Sequence, residues 1–294
     1  MSVVTPLREI TPGLLMKFEC EQTGGSHKTR AARWMIRNGI KRGEIIPGET
    51  TILEKTGGNL GFGLGLAAAE LGCEVNVVIG LSFSPLKREA IKYFGAQSVG
   101  EDLLHDGLQP KAVIQHLLDN QQADGKRYYY VDQLNNRDGL EAHEYELGPE
   151  IARQIDDLHE CKNVVFVTSA GTGAHLTGIS RALRRAGYGV RVVLVEPEGC
   201  DSRQNIFAEH SLEGISVGVV PPLIDWSLVE EHTTVSEARM LQTRRAFMAS
   251  HGYLIGNTSA ACLAAAETVR NEIGPDQNWL VLTIAYDSGL WYEL

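Results

Sequence analysis

The sequence predicts an α/β protein whose strands are buried on both faces by crossover helices. Short apolar runs rich in β-branched residues alternate with longer segments of helical period, and glycine-rich turns stand where such a strand gives way to such a helix. Val75 to Ile79, Tyr128 to Val131, Val164 to Thr168, Val192 to Val195 and Leu280 to Ile284 read as strands. Leu14 to Phe18 and Thr51 to Leu53 are shorter apolar segments ahead of the first two glycine-rich turns. Helical period covers Lys28 to Lys41, Gly61 to Leu71, Pro85 to Phe94, Lys111 to Asn120, Ala174 to Ala186, Glu237 to Ser250 and Ser259 to Glu272. Gly95, Gly187 and Gly252 each close one of these stretches, where a residue that adopts the left-handed conformation at low cost is wanted. No linker of low complexity, repeat array or long charge run divides the chain, so a second domain is joined through ordinary loops. The polar stretch Asp132 to Asp138 and the turn at Pro47 and Gly48 are the candidate crossings.

A chain of 294 residues accommodates one large α/β domain or two smaller ones. Its 43% hydrophobic and 22% charged residues exclude a disordered chain, a collagen-like chain and a coiled-coil rod. Lys and Arg total 27 against 37 for Asp and Glu, a formal charge of −10 that repels polyanions, so nucleic acid is not an expected partner. The five cysteines, Cys20, Cys73, Cys161, Cys200 and Cys262, are odd in number, widely spaced and without a C-x-x-C pair. A reducing cytosol is therefore expected, and no metal site. No basic segment followed by a long apolar one opens the chain, and no apolar run approaches the ~20 residues that span a bilayer, so neither export nor insertion is expected.

Three glycine-rich turns carry the chemistry. In Thr23-Gly24-Gly25-Ser26-His27-Lys28-Thr29-Arg30 the glycines permit close approach of backbone to a ligand. Lys28 stands at a helix's first turn, where the macrodipole disfavours positive charge and lowers the amine pKa. It reads as a nucleophile or, taken alone, as a solvated cation at a helix start. In Glu54-Lys55-Thr56-Gly57-Gly58-Asn59-Leu60-Gly61 the N–H groups at the helix start face an incoming carboxylate or phosphate, unless the glycines serve only close packing. The third turn, Ser169-Ala170-Gly171-Thr172-Gly173-Ala174-His175-Leu176-Thr177-Gly178, has the small residues, N–H groups and hydroxyls of a phosphate cup. It lacks the Gly-Lys-Ser/Thr ending of a P-loop and fits the G-x-G-x-x-G fingerprint poorly.

An amine early, an anion loop next and a phosphate cup in the second half, in that order, resemble the fold type II pyridoxal-phosphate enzymes. The nearest resemblance is to the cysteine synthase (O-acetylserine sulfhydrylase) and cystathionine β-synthase family, with tryptophan synthase β a more distant cousin. The matches run along nearly the whole chain, from Thr5-Pro6-Leu7, Met16-Lys17-Phe18-Glu19 and Gly25-Ser26-His27-Lys28 to Ser84-Pro85-Leu86-Lys87-Arg88 and Phe94-Gly95-Ala96. Gln133 with Asn135, His143, Gly148-Pro149-Glu150-Ile151, Val195-Glu196-Pro197, Gly252 through Ala261, and Asp287-Ser288-Gly289 with Tyr292 continue the same order.

The resemblance implies two doubly wound α/β domains with a cofactor cleft between them. Residues 38–137 would form a smaller mobile domain with the substrate loop, and 1–37 with 138–294 a larger one binding the cofactor phosphate. It also implies a cytoplasmic homodimer. Lys28 would hold pyridoxal 5′-phosphate as an imine and, once freed, move the Cα proton of an amino acid. Asn59 matches the asparagine at the cofactor's ring hydroxyl, and Gly171, Thr172, Gly173, Ala174 and His175 match the loop that receives its phosphate. Thr258 aligns with the hydroxyl residue facing the pyridine nitrogen. A hydroxyl holds that nitrogen protonated less firmly than a carboxylate does, which favours chemistry at Cβ over transamination.

The substrate clamp departs from the family. Cysteine synthases read Thr-Ser-Gly-Asn-Thr-Gly in the loop that binds the substrate α-carboxylate, whereas Gly57 and Leu60 here replace two hydroxyl residues. Thr56, Gly57, Gly58, Leu60 and Gln133 are the substrate-binding set, and Lys55 adds a cation beside the loop. His175 replaces a family threonine, to donate to the phosphate or to fill space. His27 lies against the phosphate or packs. Ser216 and Gly218 match a stretch near the cofactor's edge. Cys20, Cys73 and Cys262 read as small core residues, and Trp34, Met35 and Ile36 as a helix's buried face.

The resemblance implies a pyridoxal-phosphate-dependent transferase or lyase of amino-acid metabolism. It would take a small amino acid with a β leaving group, such as an O-activated serine, through an aminoacrylate and add a nucleophile. The alternatives are elimination to a keto acid and ammonia, as in serine or threonine dehydratases, and a cofactor-binding paralogue without turnover.

Overall fold

The computed structural model describes residues 3–81, 83, 85–274 and 278–292, the side chain of Pro85 excepted; Ser84 of the resemblance above lies outside them. Along the chain the strands are β1 (Leu7–Thr11), β2 (Leu14–Phe18), β3 (Thr51–Lys55), β4 (Glu74–Val78), β5 (Ala96–Ser98), β6 (Tyr128–Tyr130), β7 (Asn163–Thr168), β8 (Gly189–Pro197), β9 (Val229–Val235) and β10 (Leu280–Ala285). The helices are α1 (Lys28–Lys41), α2 (Asn59–Leu71), α3 (Pro85–Tyr93), α4 (Glu101–His105), α5 (Pro110–Asn120), α6 (Arg137–Ala142), α7 (Gly148–Leu158), α8 (Ala174–Arg185), α9 (Glu237–His251) and α10 (Asn257–Ile273). A π-helical turn, His143–Leu147, joins α6 to α7. The three expected helix-closing glycines take φ of +91° (Gly95), +86° (Gly187) and +73° (Gly252).

Two compact units result. The larger comprises Val3–His27 and the chain from Leu140 onward; the smaller is Lys28–Gly139. The larger unit holds a six-stranded sheet in the order β1-β2-β10-β7-β8-β9, parallel except for β1, which runs antiparallel to β2. Its central strands are near-continuous runs such as Val164–Val167 and Val281–Leu282, buried throughout, as a parallel sheet covered on both faces requires. The edge strand β9 carries exposed Glu230, Glu231 and His232, charge that discourages pairing with another chain. Within β2 the buried Lys17 donates from Nζ to Glu150 Oε1 at 2.5 Å, to Thr5 O at 2.5 Å and to Gln154 Oε1 at 2.7 Å.

The smaller unit holds a four-stranded parallel sheet in the order β5-β4-β3-β6. Leu53 of β3 and Val78 of β4 pack with Leu104 of α4 and with Val113 and Ile114 of α5 in one buried cluster. Helix α2 packs on the start of α1 so closely that a Cβ at Gly63 would lie 3.0 Å from Lys28 O and Thr29 Cα. The far end of α1 region is tied down by Arg42, whose guanidinium forks onto Asp138 at 3.1 and 2.9 Å, joined by Asn38 at 2.9 Å. The lysine and anion loop of the smaller unit, and the glycine cup of the larger, thus stand on packed helices and sheet ends.

Candidate active site

In the smaller unit, Lys28 is the first residue of α1. Only part of its side chain reaches solvent, and burial pushes its amine down to about 8 from the ordinary 10.5, while the negative charge of Glu54 pulls it partly back up. Desolvation, rather than helix position, is thus the leading cause of the depression. Glu54 was not singled out by sequence reasoning. It is the buried fourth residue of β3, pushed up to about 8 by burial. Its Oε2 accepts from the backbone N–H of Gln133 at 3.3 Å, and its Oε1 has no hydrogen-bond partner among the described residues. The signal available in the sequence was a carboxylate inside an apolar strand, directly ahead of a glycine-rich turn.

The anion loop follows at once. Thr56 N donates to Val78 O at 3.1 Å, and Thr56 Oγ1 accepts from Gly58 N at 3.4 Å, which folds the loop over the end of the sheet. Asn59, partly exposed, and buried Leu60 open α2. A Cβ at Gly57 would lie 2.4 to 2.7 Å from Cγ, Cδ2 and Cδ1 of Phe83. The ring therefore occupies the space in which a side chain at position 57 would stand, and the Gly57 replacement has a physical reason. Within this unit the structure brings Thr56, Gly57, Gly58, Asn59 and Leu60 together on one loop and helix start, with Gln133 joined to them through Glu54.

In the larger unit, β7 ends at Thr168 and the loop Ser169–Gly173 leads into α8. Gly173 takes φ +86°, and a Cβ there would lie 2.4 Å from Ile224 Cγ1 and 2.6 Å from Ile224 N. Only glycine fits both demands. A Cβ at Gly171 would lie 2.2 Å from Gly214 O. Thr172 Oγ1 accepts from Ala174 N at 3.2 Å, and Thr172 O from Leu223 N at 3.0 Å. The result is a tight turn with N–H groups at the head of a twelve-residue helix, the arrangement that receives an anion. His175, buried, places Nε2 3.0 Å from Thr168 Oγ1.

Thr258, the second residue of α10, donates from Oγ1 to Glu213 O at 3.3 Å. Ser216, with φ +46°, donates instead to buried Glu196 at 2.7 Å. All five cysteines are free. Burial pushes the Cys262 and Cys20 thiols up to about 12 and raises that of Cys73; Cys262 is a core residue as read from the sequence, whereas Cys20 and Cys73 are only partly buried. Taken unit by unit the groups suit parts of pyridoxal phosphate: the smaller unit offers an amine available near neutral pH, and the larger a glycine cup, too tight for side chains, at the head of a helix.

The sequence profile of the family described as "Pyridoxal-phosphate dependent enzyme" matches residues 3–284. A probable cysteine synthase of Bacillus subtilis (strain 168) is 31% identical over 282 residues, covering 94% of this chain and 87% of the relative. The cystathionine β-synthase of Saccharomyces cerevisiae is 27% identical, and the match spans 52% of its length. Among solved structures, O-ureido-L-serine synthase superposes with a TM-score of 0.85 at 27% identity, covering 98% of this chain and 90% of that one. The O-acetylserine dependent cystathionine β-synthase from Helicobacter pylori gives 0.82 at 26% identity, covering 98% and 94%.

Proposed function

The chain belongs to the pyridoxal-phosphate dependent enzyme family, and on that premise we propose that it replaces the β-substituent of a small amino acid, in the manner of a cysteine synthase. The observation that carries the reading is the Lys28 amine, held near 8 beside the anion loop. Bound pyridoxal phosphate supplies the electron sink for cleavage at Cα and Cβ.

The remaining work falls to this chain's own residues. Lys28 would hold the cofactor and, when displaced by the substrate amine, accept the Cα proton. A pKa of about 8 leaves a useful free-base fraction at neutral pH, which an ordinary lysine does not. Gly171, Thr172, Gly173, Ala174 and His175 would hold the phosphate, Asn59 the ring hydroxyl, and Thr258 the pyridine nitrogen. Thr56 and the N–H groups of Gly57, Gly58 and Leu60, with Gln133, would hold the α-carboxylate. Residues 38–137 would act as the substrate-binding part and the remainder as the phosphate-binding part.

The relatives support an O-activated serine as substrate, since O-ureido-L-serine synthase and an O-acetylserine dependent enzyme are among them. A homodimer in the cytoplasm completes the proposal, the latter supported by five unpaired thiols. The test is borohydride reduction of the cofactor-loaded protein followed by peptide mapping, together with absorbance spectra on adding O-acetylserine, O-phosphoserine or cysteine. The adduct is expected on Lys28 and a spectral change with at least one substrate; an adduct elsewhere, or silence with all three, refutes the proposal.

A further inference from the structure

We propose that His27, His143 and His175 form a shared proton reservoir, which takes up a proton when a phosphate dianion settles at the head of α8 and so couples cofactor retention to pH. This assignment rests on the reading of Gly171–His175 as the phosphate loop. The three imidazoles come from separate parts of the larger unit: the segment before α1, the π-helical turn and the first turn of α8. Their ring centroids are 5.3 Å (His27–His175), 5.7 Å (His27–His143) and 6.0 Å (His143–His175) apart. They are 7%, 1% and 5% exposed. Tyr286 closes the group at 5.3 Å from His27 and 5.1 Å from His175.

The cluster is built, not incidental. Thr168 Oγ1 is 3.0 Å from His175 Nε2 and 2.7 Å from Tyr286 Oη, which also accepts from Ser169 N at 3.3 Å. His27 N donates to Tyr286 O at 3.3 Å. A Cβ at Gly178 would lie 2.8 Å from His143 Cβ, so the glycine one turn beyond His175 seats His143 against α8. Three imidazoles thus share a wall with the two residues, Thr168 and Ser169, that lead into the cup.

Charge arithmetic gives this wall a task. A phosphate monoester carries about −1.5 to −2 near neutral pH, and a helix N-terminus supplies roughly +0.5. The loop Ser169–His175 contains no Lys or Arg. The other titratable groups around the cluster do not make up the difference. The Tyr286 hydroxyl is pushed well above its ordinary range by burial, and the Cys262 thiol, 3.9 Å from it, to about 12, so both stay neutral. Glu144, after His143, is paired with Arg185, and Asp287, after Tyr286, accepts from Tyr292 Oη at 2.6 Å. Lys28 follows His27 in sequence and is the same in wild type and the histidine variants, so a proton it gains cancels from their comparison. Imidazole is the remaining group that gains a proton in this range. Rings this close disfavour a second charge, so the uptake is a single proton drawn from solvent and held by the cluster as a whole.

The experiment is calorimetric titration of the full chain, freed of cofactor, with pyridoxine 5′-phosphate, which has the phosphate but no aldehyde to engage Lys28. Runs in two buffers of different ionisation enthalpy give the protons exchanged. Wild type should take up roughly one proton more than a His27→Val/His143→Gln/His175→Thr variant at the same pH. Equal proton counts overturn the proposal. If the triple variant fails to fold, the wild-type count decides alone, and binding of pyridoxine 5′-phosphate with no proton uptake in the two buffers overturns the proposal equally. Gly173→Ala separates the two readings. Undiminished affinity in that variant refutes the phosphate loop itself, whereas weakened affinity with equal proton counts in wild type and the histidine variants refutes the reservoir alone.

Discussion

Lys28 and Glu54 set an amine and a carboxyl in one electrostatic field, and burial drives each to about 8 from opposite sides. The carboxylate charge raises the lysine pKa against its desolvation, so removing that charge must lower it further. In Glu54→Gln the midpoint for condensation of the amine with pyridoxal phosphate, followed by absorbance against pH, should fall by roughly one unit below the wild-type value of about 8. An unshifted midpoint would show that Glu54 has no hold on Lys28.

The same pair fixes a pH dependence of stability. Glu54 has a folded pKa raised from 4.5, so its contribution is intact below about 4.5 and is lost as pH rises through 8. Lys28 is depressed from 10.5, so its contribution is intact above 10.5 and is lost as pH falls through 8. Above 8 the amine is largely neutral and leaves the buried carboxylate unopposed. Glu54→Gln should therefore melt higher than wild type at pH 9 and close to it at pH 5, by scanning calorimetry of the cofactor-free protein. A variant less stable at pH 9 would contradict this.

The parallel core was legible because both faces of its strands are buried, which leaves uninterrupted apolar runs such as Val164–Val167 and Val192–Val195. Strands β1 and β9 were not, because edge and partly exposed strands carry Arg8, Glu9, Glu230 and Glu231 and show no such run. The short α4 and α6 lacked a sustained apolar stripe, whereas α7 carries one in Ile151, Ala152 and Ile155 that the reading passed over behind its Gly-Pro start. At the site, the glycines at 171 and 173 announced a tight cup, and the structure supplies the clashes that require them. Glu54, Phe83 and the mutual packing of three histidines were hidden, since each acquires meaning only from a partner distant in sequence.

The buried ion pair of Lys17 and Glu150 gives a separate test of the larger unit's core. Glu150→Ala removes a carboxylate from an ammonium group that is shielded from water and also faces Thr5 O and Gln154 Oε1. The loss should be about 3–5 kcal/mol, read from urea unfolding. Replacing both partners, as Lys17→Met with Glu150→Leu, removes the buried charge itself and should recover most of it. A single variant costing under about 1 kcal/mol would mean that water reaches the amine.

Gly57 and Phe83 make the specificity of the clamp testable. Restoring the family's hydroxyl as Gly57→Ser places a Cβ within 2.7 Å of three ring atoms, so either the ring or the loop must move. Overpacking of this kind costs about 1–3 kcal/mol, and under the proposed carboxylate-binding role the displaced loop should raise KM, for whichever substrate of the spectral panel responds, more than it lowers kcat. Phe83→Ala opens the space without supplying a donor. In the double variant Gly57→Ser/Phe83→Ala the serine hydroxyl has room to reach a carboxylate, so its KM should fall below that of either single variant, and its melting temperature should exceed that of Gly57→Ser. Steady-state kinetics and melting curves on the four proteins form a double-mutant cycle, and strict additivity in both would mean that the ring does not govern what position 57 can hold.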